Sequence, residues 1–234
     1  MKKSILLFAI SALALGACRS LRISDFHSSE TIPQRLPRLG LLVHERSFAD
    51  AFYAALNREV ILTNITAGPY IPAPWEVHQK TDQAMSDVFQ VLDNELFDHF
   101  NRQDGERYGH ARFKLRTYQR RNAGWGWMIP SIFTLGTANL LGMPYKVYRI
   151  DLELQLEIVD ANGKILQRYD APGTGKAKVA AYHGYDALTA IRKANLVAIQ
   201  DGLSKIKTRM AGDVATLSEQ LQAAGVAHLL DIKK

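Results

Sequence analysis

Residues 148–170 read YRIDLELQLEIVDANGKILQRYD. Tyr148, Ile150, Leu152, Leu154, Leu156 and Ile158 alternate with Arg149, Asp151, Glu153, Gln155 and Glu157. Alternation of this length predicts a β-strand with one buried and one wet face. Asp160 to Gly163 is a turn, with Asn162-Gly163 suited to positive φ. KILQRYD then returns as an antiparallel partner.

Upstream, ARFKLRT (111–117) repeats the pattern: Ala111, Phe113 and Leu115 alternate with Arg112, Lys114 and Arg116. Its polar face is basic, whereas that of 148–158 is largely acidic. Antiparallel pairing sets opposite charges across from each other, at a few tenths of a kcal/mol per pair. Because the apolar residues must share a face, odd positions of the first strand oppose even positions of the second, and Arg116 falls opposite Asp151 or Glu153. Arg120 and Arg121 lie beyond the expected pairing, so they are candidates to touch a partner.

The two strands are joined by residues 122–145, which carry no charge. Pro130 and four glycines make the stretch a poor spanning helix. Such a helix would also separate two paired strands across a bilayer. A lone membrane hairpin leaves its backbone unsatisfied unless it closes into an oligomeric barrel. The readings left are a loop over the protein's own core or an apolar tip for a partner or membrane surface. Trp125 and Trp127 suit an interface with one wet side. Trp125, Trp127, Arg120 and Arg121 are therefore the candidate binding residues.

Thr81–Phe100 is a helix with Met85, Val88, Phe89, Leu92, Leu96 and Phe100 on one stripe. Ala187–Met210 is another, stopped by Gly212, and roughly Asp213–Ala224 a third. Leu39–Val43 reads as a first strand. Ser47 and Asp50 resemble a capping box for a short helix. REVILTNIT (58–66) reads as a strand and GPYIPAPW (68–75) as a loop. DAPGTGKA (170–177) fails the phosphate-loop pattern, with Asp170 and Ala177 where Gly and Ser or Thr are needed, and reads as a Gly-rich link. The fold class expected is α+β, an antiparallel sheet with helices packed on one face.

The seven histidines show no zinc-ligand spacing, and there is no nucleophile-elbow motif. The expectation is a non-catalytic protein with no metal and no cofactor.

The N-terminus, MKKSILLFAISALALGAC, has a basic start, an apolar run from Ile5 to Leu15 and small residues before Cys18. That is the layout of a secretory signal peptide. Leu15-Gly16-Ala17-Cys18 resembles the lipobox of bacterial lipoproteins, which implies cleavage before Cys18 and its acylation. Cys18 is the chain's single cysteine, so no intramolecular disulfide forms. Losing Lys2 and Lys3 lowers the net charge of +6 by two, to +4. Export removes nucleic acid as a partner, while anionic lipid and acidic protein remain. Arg19, where Asp would favour inner-membrane retention, implies the outer membrane. The absence of an acidic run after Cys18 implies its periplasmic face. The layout expected is a signal peptide (1–17), a tether (18–37), an α+β domain (38–211) and a C-terminal helix and tail (212–234).

The lipobox, the hairpin LLGMPYKVYRIDLELQLEIVDANGKILQRY and the helix YHGYDALTAIRKANLVAIQDGLSKIK together resemble a group of small outer-membrane lipoproteins. Their domain is like the TolB N-terminal domain, the penicillin-binding-protein activators and the curli-secretion lipoprotein. The resemblance covers about residues 80–210 and implies a module that binds or helps assemble an envelope component, a protein or a glycolipid. Curli-type members build a pore from a strand-flanked insertion, which implies the alternative: a homo-oligomeric subunit of an outer-membrane secretion or transport complex.

Anchoring through Cys18 has a direct consequence. A Cys18→Ser chain should be uncleaved or soluble, because two or more acyl chains and not the domain hold the protein to the membrane. Full retention of that variant in outer membrane after a high-salt wash, measured by fractionation and immunoblot, would refute it.

Overall fold

A computed structural model describes residues 23–26, 34–67, 74–102, 104–122, 126, 128–140, 142–144, 146–180 and 187–227. Its centre is a four-stranded sheet in the order β1-β2-β3-β4. The strands are β1 (Leu39–Val43), β2 (Gly109–Asn122), β3 (Lys146–Asp160) and β4 (Ile165–Val179). The helices are α1 (Glu45–Ala67), α2 (Pro74–Glu95), α3 (Met128–Phe133), α4 (Thr137–Leu140), α5 (Ala187–Met210) and α6 (Val214–Ala224). The fold is α+β, and the sheet is mostly antiparallel.

One pairing is parallel: Leu39 to Val43 of β1 run beside Gly109 to Phe113 of β2. A parallel neighbour needs a crossover, supplied by α1, α2 and a π-helical turn, Leu96–Phe100. The all-antiparallel expectation therefore fails at this edge.

Between β2 and β3 the expected parity holds first: Ala111 opposes Ile158, Phe113 Leu156 and Leu115 Leu154. A bulge then inserts Arg116, so Thr117 opposes Glu153 and Gln119 opposes Asp151. Arg116 is consequently opposite neither acid. One extra residue turns the rest of the strand over. Tyr118 and Arg120 now share the face of Leu152 and Ile150. The Tyr118 hydroxyl donates to Asn195 Oδ1 on α5 at 2.8 Å, and its ring meets Phe52 of α1 edge-on at 5.9 Å. Burial raises the Tyr118 pKa, against smaller lowering effects of Arg120 and the Asn195 bond.

β4 corrects the reading of residues 170–177 as a link, for they continue the strand to Val179. Their glycines are there for α5. A Cβ on Gly175 would overlap the Ala194 carbonyl, and one on Gly173 the Ala198 carbonyl. Ala171, Ala177, Ala194 and Ala198 are buried around them. Small residues on both elements thus let a helix lie directly on a strand.

α1 is continuous to Ala67, through residues 58–66, whose sequence predicts a strand. No Pro or Gly interrupts it. Once a helix is nucleated each added residue gains a hydrogen bond, whereas β-branched residues give up only tenths of a kcal/mol. Ser47 is inside this helix and is not its cap. Its hydroxyl donates to the His44 carbonyl at 2.7 Å and accepts from the Leu115 N–H at 3.1 Å, just beyond the end of β1. α2 starts at Pro74, seven positions before the expected Thr81, at a position where a missing N–H leaves nothing unpaired. In the β3–β4 turn only Gly163 takes positive φ.

The core extends past both expected boundaries. Phe26 and Leu36, placed by sequence in the tether, are buried, and so are Val214, Leu217 and Leu221 of α6. Glu95 and Lys207 form an ion pair at 2.5 Å with both side chains 1% exposed, joining the end of α2 to α5. Arg192 and Asp87 join the same helices at 2.7 Å.

Gly175→Val should destabilise the fold by about 3 kcal/mol or more, at or above the top of the usual overpacking range. Gly202→Ala, whose added Cβ meets Leu154 at 3.4 Å, should change stability by under about 1 kcal/mol. Urea unfolding of both variants checks the contrast, and equal stabilities would refute the close helix–strand contact.

Candidate functional site: an apolar tip on a basic sheet end

Residues 122–145 leave from one end of the β2–β3 pair. The regular structure described within them is two short helices, α3 and α4, not the β-hairpin weighed from sequence. Pro130 is the third residue of α3, where the amide it lacks has no intrahelical partner. Past its last residue, Phe133, the helix is closed by Gly136, which has φ 82° and donates to the Ser131 carbonyl at 2.8 Å. The Ser131 hydroxyl donates to Asn139 Oδ1 at 2.9 Å, tying α3 to α4. Thr134 Oγ donates to the Pro130 carbonyl, and Thr137 Oγ to the Thr134 carbonyl.

The tip is thus held together by polar bonds while four of its described large apolar side chains face outward. Ile129 is 47% exposed, Ile132 67%, Phe133 84% and Leu135 92%. Leu135 also has φ 48°, a left-handed conformation that costs a non-glycine residue roughly 1–2 kcal/mol. None of the described tip residues belongs to the hydrophobic core. Among the described residues no helix is long and apolar enough to cross a membrane.

Behind the tip, the last rows of the sheet concentrate positive charge. Arg121 of β2 is opposite Arg149 of β3, which is opposite Lys176 of β4. Lys178 follows across from Val147. Three cations abreast repel. Their acidic neighbour is Asp151, whose carboxylate meets Arg149 Nε at 2.9 Å and Arg121 Nε at 3.9 Å. Burial opposes ionisation of Asp151, but hydrogen bonds from Arg149 and Thr174 and the charges of Arg149 and Arg121 outweigh it. The carboxyl is held below its ordinary pKa. Lys176 and Lys178 have no ion-pair partner among the described residues.

The sequence candidates divide. Arg121 is on this surface, although it lies inside the β2–β3 pairing and not beyond it. Arg120 is paired too, and the bulge turns it toward the helices, where its guanidinium donates to the Ala55 carbonyl at 2.7 Å and lies 5.8 Å from the Tyr148 ring centre. Its expected freedom is therefore overturned. Cys18, Trp125 and Trp127 lie outside the described residues. Arg149, Lys176 and Lys178 were missed as candidates. Counting outward from the Asn162-Gly163 turn would have brought Arg149 and Lys176 together, had residues 170–179 been read as strand. Among the described residues no group of three or more His, Cys, Asp or Glu is placed to hold a metal ion.

No protein-family model matches the chain, and no curated protein matches it. Among solved structures it is similar to a "putative lipoprotein" from Caulobacter crescentus CB15, with 10% identity over 75% of this chain and 95% of that one. The TM-score is 0.28, too low to carry fold or function between the two.

Because the described tip residues are outside the core, replacing residues 123–144 with a short Gly/Ser linker should leave thermal stability nearly unchanged. Loop-closure entropy varies slowly with length. Circular dichroism melting checks this, and an unfolded or strongly destabilised product would show that the stretch is core.

Proposed function

We propose that this chain is a non-catalytic, lipid-anchored protein of the cell envelope that binds or helps assemble an envelope component through the tip at residues 122–145. The observation that carries the reading is the outward exposure of Ile132, Phe133 and Leu135 on a tip tied by its own hydrogen bonds. Apolar side chains arranged this way remain in water at a free-energy cost unless another surface covers them. A connection of 23 residues, 123–145, is also far longer than closing an antiparallel pair requires. The Leu15-Gly16-Ala17-Cys18 sequence supports acylation, Arg19 supports the outer membrane, and the lack of an acidic run after Cys18 supports its periplasmic face.

The test is photo-crosslinking in the native envelope from a probe at position 133, beside a control probe at Lys114 on the exposed sheet face. The expected result is a discrete adduct, to a protein or to lipid, from position 133 alone. Equal labelling from both positions, or none, would refute a recognition role for the tip. Light scattering on detergent-extracted protein distinguishes the alternative, since a ring of many subunits would favour a secretion or transport complex over a monomeric binding module.

A further inference from the structure

We propose that the tip and the basic end of the sheet form one docking surface for an anionic lipid bilayer. Ile132, Phe133 and Leu135 enter the boundary between headgroups and acyl chains, and Arg121, Arg149, Lys176 and Lys178 meet the lipid phosphates. This rests on the reading of residues 122–145 as an interaction element and names what it touches.

Two observations converge. The first is shape and polarity. The tip is two helical turns with no charge, and three of its large apolar side chains are at least two-thirds exposed. A six-residue helix is about 9 Å long. Interfacial elements bury to about 5–10 Å, so a tip of this size matches the headgroup layer and is far too short to span.

The second is charge complementarity. Arg121 and Arg149 are each one residue from the strand positions Asn122 and Tyr148 that face each other at the tip end. Lys176 completes their row, and Lys178 lies further toward the tip. In the last rows of that face, from Asp151 to the tip, four cations stand beside one acid, Asp151. A cross-strand row of three like charges is unfavourable by itself, and a layer of phosphates relieves it. Apolar groups in front and cations behind match the order of layers met on approaching an anionic membrane. A protein partner covering the tip would not need the cationic row behind it.

All of the described core lies between Phe26 and Leu221, so the mature polypeptide from residue 18, with Cys18→Ser, retains it without acyl chains. The experiment is co-sedimentation of this polypeptide with vesicles of phosphatidylcholine containing about one-third phosphatidylglycerol, and with phosphatidylcholine alone. Binding to the anionic vesicles only is expected. The triple variant Arg121→Gln, Lys176→Gln, Lys178→Gln should bind about a hundredfold more weakly, at the usual contribution of each basic residue near a charged surface. Ile132→Ser with Phe133→Ser and Leu135→Ser should abolish binding. Melting curves confirm that the variants are folded, and about 0.5 M NaCl on the unsubstituted polypeptide reads the electrostatic part without any substitution. Equal binding to neutral vesicles, or no binding to either, overturns the proposal. So does a tip-dependent oligomer seen by light scattering without lipid, which would make a second copy the occupant. If vesicles fail while the position 133 crosslink to a protein persists, bilayer docking is wrong and the interaction role stands. If both fail, both readings fall.

Discussion

The contact between α5 and β4 sets the geometry on which the other elements depend. Gly173 and Gly175 remove the side chains that would hold the helix off the sheet, and Ala194 and Ala198 do the same from the helix. Backbone-level approach leaves no room for error in the position of α5, so its other contacts become fixed distances. Lys207 is delivered to Glu95, Arg192 to Asp87 and Asn195 to the Tyr118 hydroxyl. The Glu95–Lys207 pair shows how this works energetically. Removing two charges from water costs several kcal/mol, and their attraction offsets that only in good geometry. The pair therefore specifies how α2 sits on α5 more than it adds to total stability.

The bulge at Arg116 is the second device. Before it, β2 presents Ala111, Phe113 and Leu115 to the core; after it, Tyr118 and Arg120 face that side. Tyr118 fills the space between Phe52 and Asn195. Arg120 reaches the Ala55 carbonyl of α1 and so supports the open edge of β2 past the end of β1. The same rotation moves Arg121 to the outer face, beside Asp151 and opposite Arg149. One inserted residue therefore decides which of two adjacent arginines is structural and which is exposed.

Much of the sheet was legible because its signal is local. The alternation of Tyr148 to Ile158 and the Asn162-Gly163 turn define a hairpin without reference to anything else. The α5 boundaries, Ala187 and Met210, follow from the apolar stripe and Gly212. What could not be read depends on partners. Ala171 to Ala177 lack alternation because their residues are chosen for a helix lying on them, so they look like a link. Residues 58–66 carry β-branched side chains that favour a strand in isolation, but they extend a helix already nucleated. The bulge leaves no mark on composition, and every assignment beyond it shifts by one. Arg121 therefore lies on the exposed face, Arg120 is turned toward the helices against expectation, and Lys176 and Lys178 went unread as strand residues with the supposed link.

The distribution of charge along the sheet gives the two ends different characters. Toward the β3–β4 turn the rows are balanced across strands: Glu157 accepts from Arg112 at 3.3 Å and from Arg168 at 2.8 Å, and Gln155 donates to Asp170 at 2.6 Å. These rows neutralise themselves and need nothing outside the protein. Toward the tip the balance stops at Asp151, and Arg121, Arg149 and Lys176 stand abreast. A chain that pairs its charges in one half of a sheet could do so in the other with one or two substitutions, for instance an acid at position 176. The unbalanced row adjoins the uncharged, outward-facing tip, and the left-handed Leu135 lies in that tip. Local repulsion, a cluster of outward-facing apolar side chains and backbone strain thus collect at one end of the fold. The repulsion and the apolar exposure are costs to the isolated chain that contact with an anionic, partly apolar surface would reduce.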